Sequence, residues 1–339
     1  MSAALRIIKA GPGLSLQNAG RPGFLDKGLS RGGAMDPLAL AEGAALLGQP
    51  PEAALAVEMA GAGGVFRAEG ADLLVALTGA PMAAGIEGAR VAWSASHLLP
   101  EGSELSISGA SAGSYGYLSV AGLDAPEILG ARSAHLAAGI GGRLQAQEAL
   151  ACAPAPGPGG LMIAAEDRFG GGDIRVLPSV QTDAFDADTL ARLEATAFRK
   201  DARANRMGAR LSHAGDGFSS TAHLAILSEI IVPGDVQVIG DGAPFVLLNE
   251  CQSMGGYPRI ATVISADLPR VAQAAPGSPI RLRFVTLEEA LAAREAAARH
   301  VASLPGRVVP RVRDPGDIPD LLAYQLVDGA ISAHHDKDA

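Results

Sequence analysis

Along most of the chain, runs of three to six apolar or alternating residues are separated by glycines and prolines at short intervals. Short strands joined by tight turns read this way, because Gly and Pro supply turn backbone angles while strands repeat with period two. The pattern predicts strands at Asp72–Leu77, Glu104–Ser108, Tyr115–Val120, Ile174–Leu177, Phe245–Leu248, Ile260–Ile264 and Ile280–Phe284. It lacks the regular strand and helix alternation of a doubly wound sheet, which argues against a Rossmann-type cofactor domain. The expected fold class is mainly β with a few helices.

Helices are recognised by their ends. In Met35-Asp36-Pro37-Leu38 the carboxylate of Asp36 is placed to cap free amides, Pro37 takes the first helical position, and Gly48 closes the segment. Thr286-Leu287-Glu288-Glu289 has capping-box spacing before an Ala-rich run with Leu287, Ala290, Leu291 and Ala298 on one face. Further helices are predicted over Asp186 to Phe198 and Pro319 to Ile331.

The Pro- and Gly-rich stretch Ala151 to Gly160 cannot hold a helix or a central strand and reads as a linker. It sets expected domains at 1–150 and 161–300, with a helical extension over 301–339. Each half carries Gly-Ala-Pro after a short apolar run (Gly79 to Pro81, Gly242 to Pro244). Each also carries a Pro-(x)-Gly-Ser turn before a strand (Pro100 to Ser103, Pro276 to Ser278), which hints at a duplicated β-barrel.

Composition narrows the function classes. With 48% hydrophobic and 19% charged residues, the 339-residue chain is globular and long enough for two cores. A net charge of -9 leaves no general basic footprint for a phosphate backbone, so nucleic acid is not an expected partner. No apolar run approaches a membrane span and the N-terminus does not read as a signal segment; the expectation is a cytoplasmic protein with no membrane contact. Cys152 and Cys251 have no metal-ligand spacing and read as ordinary thiols, and no metal site is expected. No P-loop, G-x-S-x-G elbow or H-E-x-x-H pair occurs. The histidines, including His334 and His335, are scattered; His135 is the first to consider.

Three groups of segments share a resemblance. They are Gln17-Asn18-Ala19-Gly20-Arg21-Pro22-Gly23 with Gly32 to Asp36 and Glu58; Tyr117 to Gly122 with Leu129 to Ser133 and Gly139 to Leu144; and Arg206 to Leu211 with Gln252 to Arg259, Ala266 to Leu268 and Gln273. Together they resemble the biotin-dependent carboxyltransferase family, which includes the C subunit of 5-oxoprolinase and a carboxyltransferase segment of urea carboxylase, formerly called allophanate hydrolase subunit 2. The resemblance implies tandem cyclophilin-like β-barrels. Departures include Asn18 where Asp is usual, Glu42-Gly43 and Gln49 near the first helix, Gln147-Glu148, and Glu250-Cys251-Gln252-Ser253-Met254 for an acidic-x-Gln-Thr-Thr pattern. They leave room for a subfamily that handles substrate differently.

The function implied is a subunit of an ATP-dependent 5-oxoprolinase, converting the cyclic amide 5-oxo-L-proline to L-glutamate with partners like the B and A subunits of that enzyme. ATP would bind at a site shared with or supplied by a partner. None of Lys9, Lys27, Lys200 and Lys337 follows a methionine as a biotin acceptor would, so no covalently attached biotin is expected on this chain. The alternatives are a component that moves CO2 from carboxybiotin to urea or a related amide, and a non-catalytic regulator that binds a Kip-inhibitor-like protein.

Activating a resonance-stabilised lactam requires fixed donors for phosphate, carboxylate and a developing tetrahedral centre, which guanidinium forks suit. Arg21, Arg132, Arg206 and Arg259 are the candidate binders, with surface or domain-bridging ion pairs as the competing role. Gln252 and Tyr257 join them, Tyr257 as a phenol beside a backbone that the glycines let come close, or as the edge of a plain turn. The candidate catalytic carboxylates are Asp36, Glu58 and Asp267, with Asp241 also able to supply a base, and Asp36 equally a helix cap. Gly139 to Arg143 reads as an amide nest or a turn.

Overall fold

The computed structural model describes residues 3–219 and 228–312. Strands dominate them: six form one sheet, seven a second and seven a closed barrel. The first sheet runs in the order Ala149–Ala151, Ala4–Lys9, Val65–Glu69, Glu104–Ala110, Met82–Ile86, Ala89–Val91. The second runs Leu14–Gln17, Ala56–Ala60, Tyr115–Val120, Leu73–Gly79, Ala95–Leu99, Gly159–Met162, Val309–Pro310. Period-two alternation turns Leu5, Ile7, Phe66 and Leu105 of the first sheet toward Leu14, Val57, Val75 and Leu118 of the second. Each such fully buried side chain contributes roughly 1.5–3 kcal/mol.

The strand Leu73–Gly79 is buried at every position. Leu73, Val75 and Leu77 enter the core between the sheets, while Leu74 and Ala76 pack in a second cluster with Ala41 and Leu46 of the helix Pro37–Leu46. A strand covered on both faces reads as one unbroken apolar run. Apart from Glu42, the helix is apolar on both sides for a matching reason: Ala39, Leu40 and Ala44 face the opposite way, into the core of the barrel. It begins where predicted, with Asp36 Oδ1 accepting from Ala39 N at 3.1 Å.

The barrel runs Gly172–Leu177, Arg259–Val263, Asp235–Val238, Pro244–Leu247, Gly208–Ser212, Phe198–Lys200, Pro279–Phe284, and a parallel pairing of the first with the last closes it. Closure removes the unpaired edges that an open sheet leaves. A two-stranded ribbon, Glu229–Ile230 with Met254–Gly255, lies outside it. The barrel core is continuous with the N-terminal half: Met35, Tyr115 and Tyr117 belong to the same cluster as Ile174, Phe198, Val236 and Leu282.

Polar groups fix the seam. Gln273 Oε1 accepts from Ser114 N (3.1 Å) and Tyr115 N (2.9 Å), and its Nε2 donates to Tyr115 O (2.8 Å) and Asp36 Oδ2 (2.9 Å). The buried Lys200 Nζ donates to Ala272 O (2.5 Å) and Ala274 O (2.8 Å) and lies 3.5 Å from Ser114 Oγ.

Several expectations are refined. The helix over Asp186 to Phe198 is Ala187–Ala195, capped by Asp186; Thr196 Oγ1 bonds back to Arg192 O, and the fully buried Phe198 opens a barrel strand instead. The capping box at Thr286 and Glu289 is present in both directions, and its helix is Leu287–Ser303. The stretch 151–160 is flanked by strands of the two N-terminal sheets, and Val309–Pro310 returns to pair with Gly159–Met162. Both repeated Gly-Ala-Pro turns use a left-handed glycine, Gly79 at φ 73° and Gly242 at φ 79°, a conformation open to Gly without the Cβ penalty. The helix expected at 319–331 and the pair His334 and His335 lie outside the described residues.

Candidate functional site

After the strand Leu14–Gln17 the chain makes a loop whose neck is closed by Arg21 N to Arg31 O (2.9 Å), Ala34 N to Asn18 O (2.9 Å) and Gly20 N to Asn18 Oδ1 (2.9 Å). Asn18, a departure from the usual Asp, keeps the acceptor that this loop uses. Arg21 at the neck is 1% exposed. Its Nη2 donates to Ser133 O, while Nε and Nη1 are buried with no hydrogen-bond partner. Burial pulls the Arg21 pKa below its ordinary value, with nearby Glu250 opposing.

Arg206 approaches the same seam from the barrel half. Its Nη1 donates to Glu58 Oε1, its Nε to Glu250 Oε1 (2.6 Å) and its Nη2 to Gly33 O (2.7 Å). Burial works against its charge, and Glu58 and Glu250 more than offset this, so its pKa lies above the ordinary arginine value. Glu58 Oε2 accepts from Met35 N (2.8 Å) and Tyr117 OH (2.7 Å), and Glu250 Oε2 from Ala137 N (3.0 Å). Burial, then the charge of Glu58, pushes the Tyr117 phenol well above its usual pKa, so it stays a donor.

Asp36 sits one residue beyond Met35. Its N donates to Tyr117 OH (2.8 Å), and its Oδ2 takes Arg168 Nε (2.9 Å) besides Gln273. Arg168 also makes a two-pronged bond to Glu42 at 3.0 and 2.8 Å. Glu42, another departure from the family pattern, is therefore the partner of Arg168. Near Arg21, Ala138 N bonds His135 O (3.1 Å) and lies 3.2 Å from His135 Nδ1, and His135 Nε2 shares a hydrogen bond of 2.9 Å with Ser30 Oγ.

The structure brings Arg21, Asp36, Glu58 and Arg206 into one seam and puts the other predicted residues elsewhere. Arg132 is half exposed and lies 3.5 Å from Asp124. Asp267 accepts three bonds from Arg175, between 2.7 and 2.9 Å. Arg259 is held by Glu229 Oε2 (2.5 Å), Ile230 O (3.0 Å) and Gln181 Oε1, and so ties the outer ribbon to the barrel. Gln252 and the 52% exposed Tyr257 line an uncharged groove of about 490 Å³ with Met207, Ile231, Phe245 and Met254. Among the described residues no His, Cys, Asp and Glu cluster is placed to hold a metal, and no helix is long and apolar enough to cross a membrane.

Each oxygen of Asp36, Glu58 and Asp267 has a donor on it, so these carboxylates hold the seam and barrel together. Arg206 is neutralised by two of its neighbours. Arg21 differs, as a buried cation with two unpartnered donor nitrogens, Nε and Nη1, and an oxyanion is the ligand such donors are equipped to hold. Sequence reasoning missed Glu250, Tyr117, Arg168 and Gln273 as parts of the seam. Tyr117 lies in an apolar run, and Arg168 lies in a connecting segment with no local signature.

Residues 27–284 match the family described as carboxyltransferase domain, subdomain A and B. The chain is 34% identical over 311 residues to the 5-oxoprolinase C subunit of Escherichia coli K12, covering 90% of this chain and 98% of that protein. It is 34% identical over 285 residues to the 5-oxoprolinase C subunit of Haemophilus influenzae, covering 81% of this chain and 89% of that one. The crystal structure of the K. lactis urea amidolyase superimposes with a TM-score of 0.79 at 21% identity, over 93% of this chain and 21% of that chain, a likeness of fold.

Proposed function

The chain belongs to the carboxyltransferase family of subdomains A and B, and from that premise we propose that it is the C-type subunit of an ATP-dependent 5-oxoprolinase. The observation that carries the proposal is the end-to-end likeness to the C subunit of 5-oxoprolinase, which spans 98% of the Escherichia coli protein. The buried Arg21, with two unpartnered donor nitrogens, supports it from the side of geometry.

In the chemistry proposed, the lactam oxygen takes the terminal phosphoryl group of ATP, breaking its P–O bond to ADP. A water then adds to the activated carbon, the ring C–N bond breaks, and the nitrogen leaves with a proton. A second water cleaves the resulting acyl phosphate to glutamate and phosphate. The steps that activate and open the ring set negative charge on oxygen beside it, and preorganised N–H donors in a dry site stabilise such charge strongly. Arg21 supplies donors of that kind. Glu58 and Glu250 hold Arg206 rigid behind it, and the ATP site and the water-activating base come with the A-type and B-type partners.

Reconstitution tests this. Mixed with those two partners, the full chain is expected to give ATP-dependent glutamate formation from 5-oxo-L-proline; no activity above the partners alone rejects the proposal. The family's carboxyltransferase description favours a second reading, CO2 transfer from carboxybiotin on another chain to urea or a related amide. Carboxylation of urea by the chain supplied with a carboxylated carrier, with no glutamate formed, would select it.

A further inference from the structure

Between the outer wall of the barrel and the ribbon of Glu229–Ile230 with Met254–Gly255 lies the groove of about 490 Å³, which the seam does not use. Its floor is a small apolar cluster of Ile231, Leu247 and Cys251 with Phe245, separate from the barrel core. Among the described residues none that lines it is charged, in a chain with 27 basic and 36 acidic residues. The groove is open to solvent along a rim where Met207 is 38% exposed, Met254 49% and Tyr257 52%, with Ile230 of the ribbon at 55%. A charge-free surface rich in Met and Tyr has the make-up of the centre of a protein interface, and a folded monomer gains nothing by leaving it in water.

One polar group of this groove is unsatisfied. Val236 and Val238 turn into the barrel core, so period two turns Gln237 outward, where it lines the groove and is 5% exposed. Its Nε2 has no hydrogen-bond partner. It lies against Gly255, where a Cβ would stand 2.7 Å from this nitrogen and 2.8 Å from Ile231 Cδ1. The terminal torsion of glutamine is soft, so the amide swings toward an acceptor in the groove with the backbone at rest. An idle donor at the base of an open apolar groove is equipped for a carbonyl. A second hollow, of about 410 Å³, shares Ile239 and Phe245 with the groove and carries Arg203 and Arg210. Arg203 gives Nε and Nη2 to Asp201, and Arg210 gives Nη2 to Asp241. Arg203 Nη1 and Arg210 Nε and Nη1 remain for a further acid.

We propose that this trough docks an extended segment of a partner subunit, with an apolar side chain in the groove, a main-chain carbonyl on Gln237 Nε2 and an acidic residue at Arg203 and Arg210. The proposal takes from the 5-oxoprolinase reading only that partner subunits exist, and adds where one of them sits. Charge selects the occupant: an uncharged lining gives an ionic anchor no partner inside the groove, and guanidinium donors at one end suit a carboxylate. The rim selects its size. A small ligand seated in the groove leaves Ile230, outside it, in water, whereas a polypeptide laid along the ribbon covers it together with Met254 and Tyr257.

Calorimetric titration of the full chain with the A-type and the B-type partner, followed by hydrogen exchange on the complex, tests this. The chain is expected to bind one of them and to gain protection at residues 229–231 and 252–257. Tyr257→Ala should weaken binding about thirtyfold, as loss of an aromatic anchor does, and Gln237→Leu about tenfold. Gln237→Leu decides most, because it removes a donor with no partner in the free chain: its melting temperature should hold or rise while affinity falls. Leu291→Ala, exposed on the helix Leu287–Ser303, is the control and should bind as wild type does. Unchanged binding in Tyr257→Ala and Gln237→Leu, no protection at 252–257, a lower melting temperature in Gln237→Leu, or no binding to either partner overturns the docking surface. So does self-association of the chain alone that Tyr257→Ala abolishes, which puts a second copy in the groove. Decanoate binding that Gln237→Leu abolishes, with partner binding kept, puts a small acid there and overturns it too. A complex that forms with the expected sensitivities but makes no glutamate refutes the ring-opening reaction and keeps the surface. A complex that makes glutamate and is indifferent to the variants does the reverse.

Discussion

Replacing Arg206 by methionine removes the cation between Glu58 and Glu250, two carboxylates that are 1% and 2% exposed. The side-chain volume is roughly kept, so the main loss is charge. Removing one partner of a buried ion pair typically costs about 3–5 kcal/mol, because the remaining charge is left without compensation. The lost bond to Gly33 O adds about 1 kcal/mol. Because the barrel and the N-terminal helix share one core, the loss should fall on a single unfolding transition, a drop of roughly 6–9 °C in melting temperature for a chain of this length. Urea denaturation followed by circular dichroism gives the free energy, and the triple variant Arg206→Met, Glu58→Gln, Glu250→Gln supplies the control. If uncompensated charge is the cause, the triple variant recovers about half of the loss or more. A single variant within about 0.5 kcal/mol of wild type, or a triple variant less stable than the single one, would refute the reasoning.

Asp36→Ala should cost about 3 kcal/mol in urea denaturation, since it removes a helix cap and also deprives Arg168 and Gln273 of their acceptor; Asp36→Asn, which keeps the cap, should cost less. Gly43→Ala drives a Cβ into overlap with Ser119 Oγ, and this should outweigh the gain of about 1 kcal/mol in helix propensity; adding Ser119→Ala should recover part of the melting temperature. Burial pushes the Lys200 pKa down to about 7, below its unfolded value near 10.5, so the unfolded state binds more protons between those pH values. Stability at this position therefore rises with pH through that window, and wild type should gain about 2 kcal/mol over Lys200→Met between pH 7 and 9, read from paired urea titrations.

Much of the fold is legible in the chain, because local patterns encode local geometry. Asp36-Pro37 marks a helix start through one capping bond and one fixed φ, and Thr286 with Glu289 marks another. Where a local signal failed, a tertiary contact won: the helix from Ala187 stops at Ala195 because Phe198 is needed in the barrel wall. The candidate site was legible only as residue types. Asp36 and Glu58 looked like catalytic carboxylates, and both are engaged in holding the seam; Arg132 and Arg259 looked like anion clamps, and each has a neighbouring acid.

The sequence by itself marked seven of the strands, several turns and the starts of three helices, since periodicity and turn chemistry act over a few residues. Which charges meet was decided by the order of strands and the docking of the barrel on the sheets. That order brings Arg206 to Glu58 across 148 residues and Arg21 to Ser133 across 112. No local pattern carries such pairings, because charge and hydrogen-bond partners are set by distance in space, and only the packed core fixes that distance.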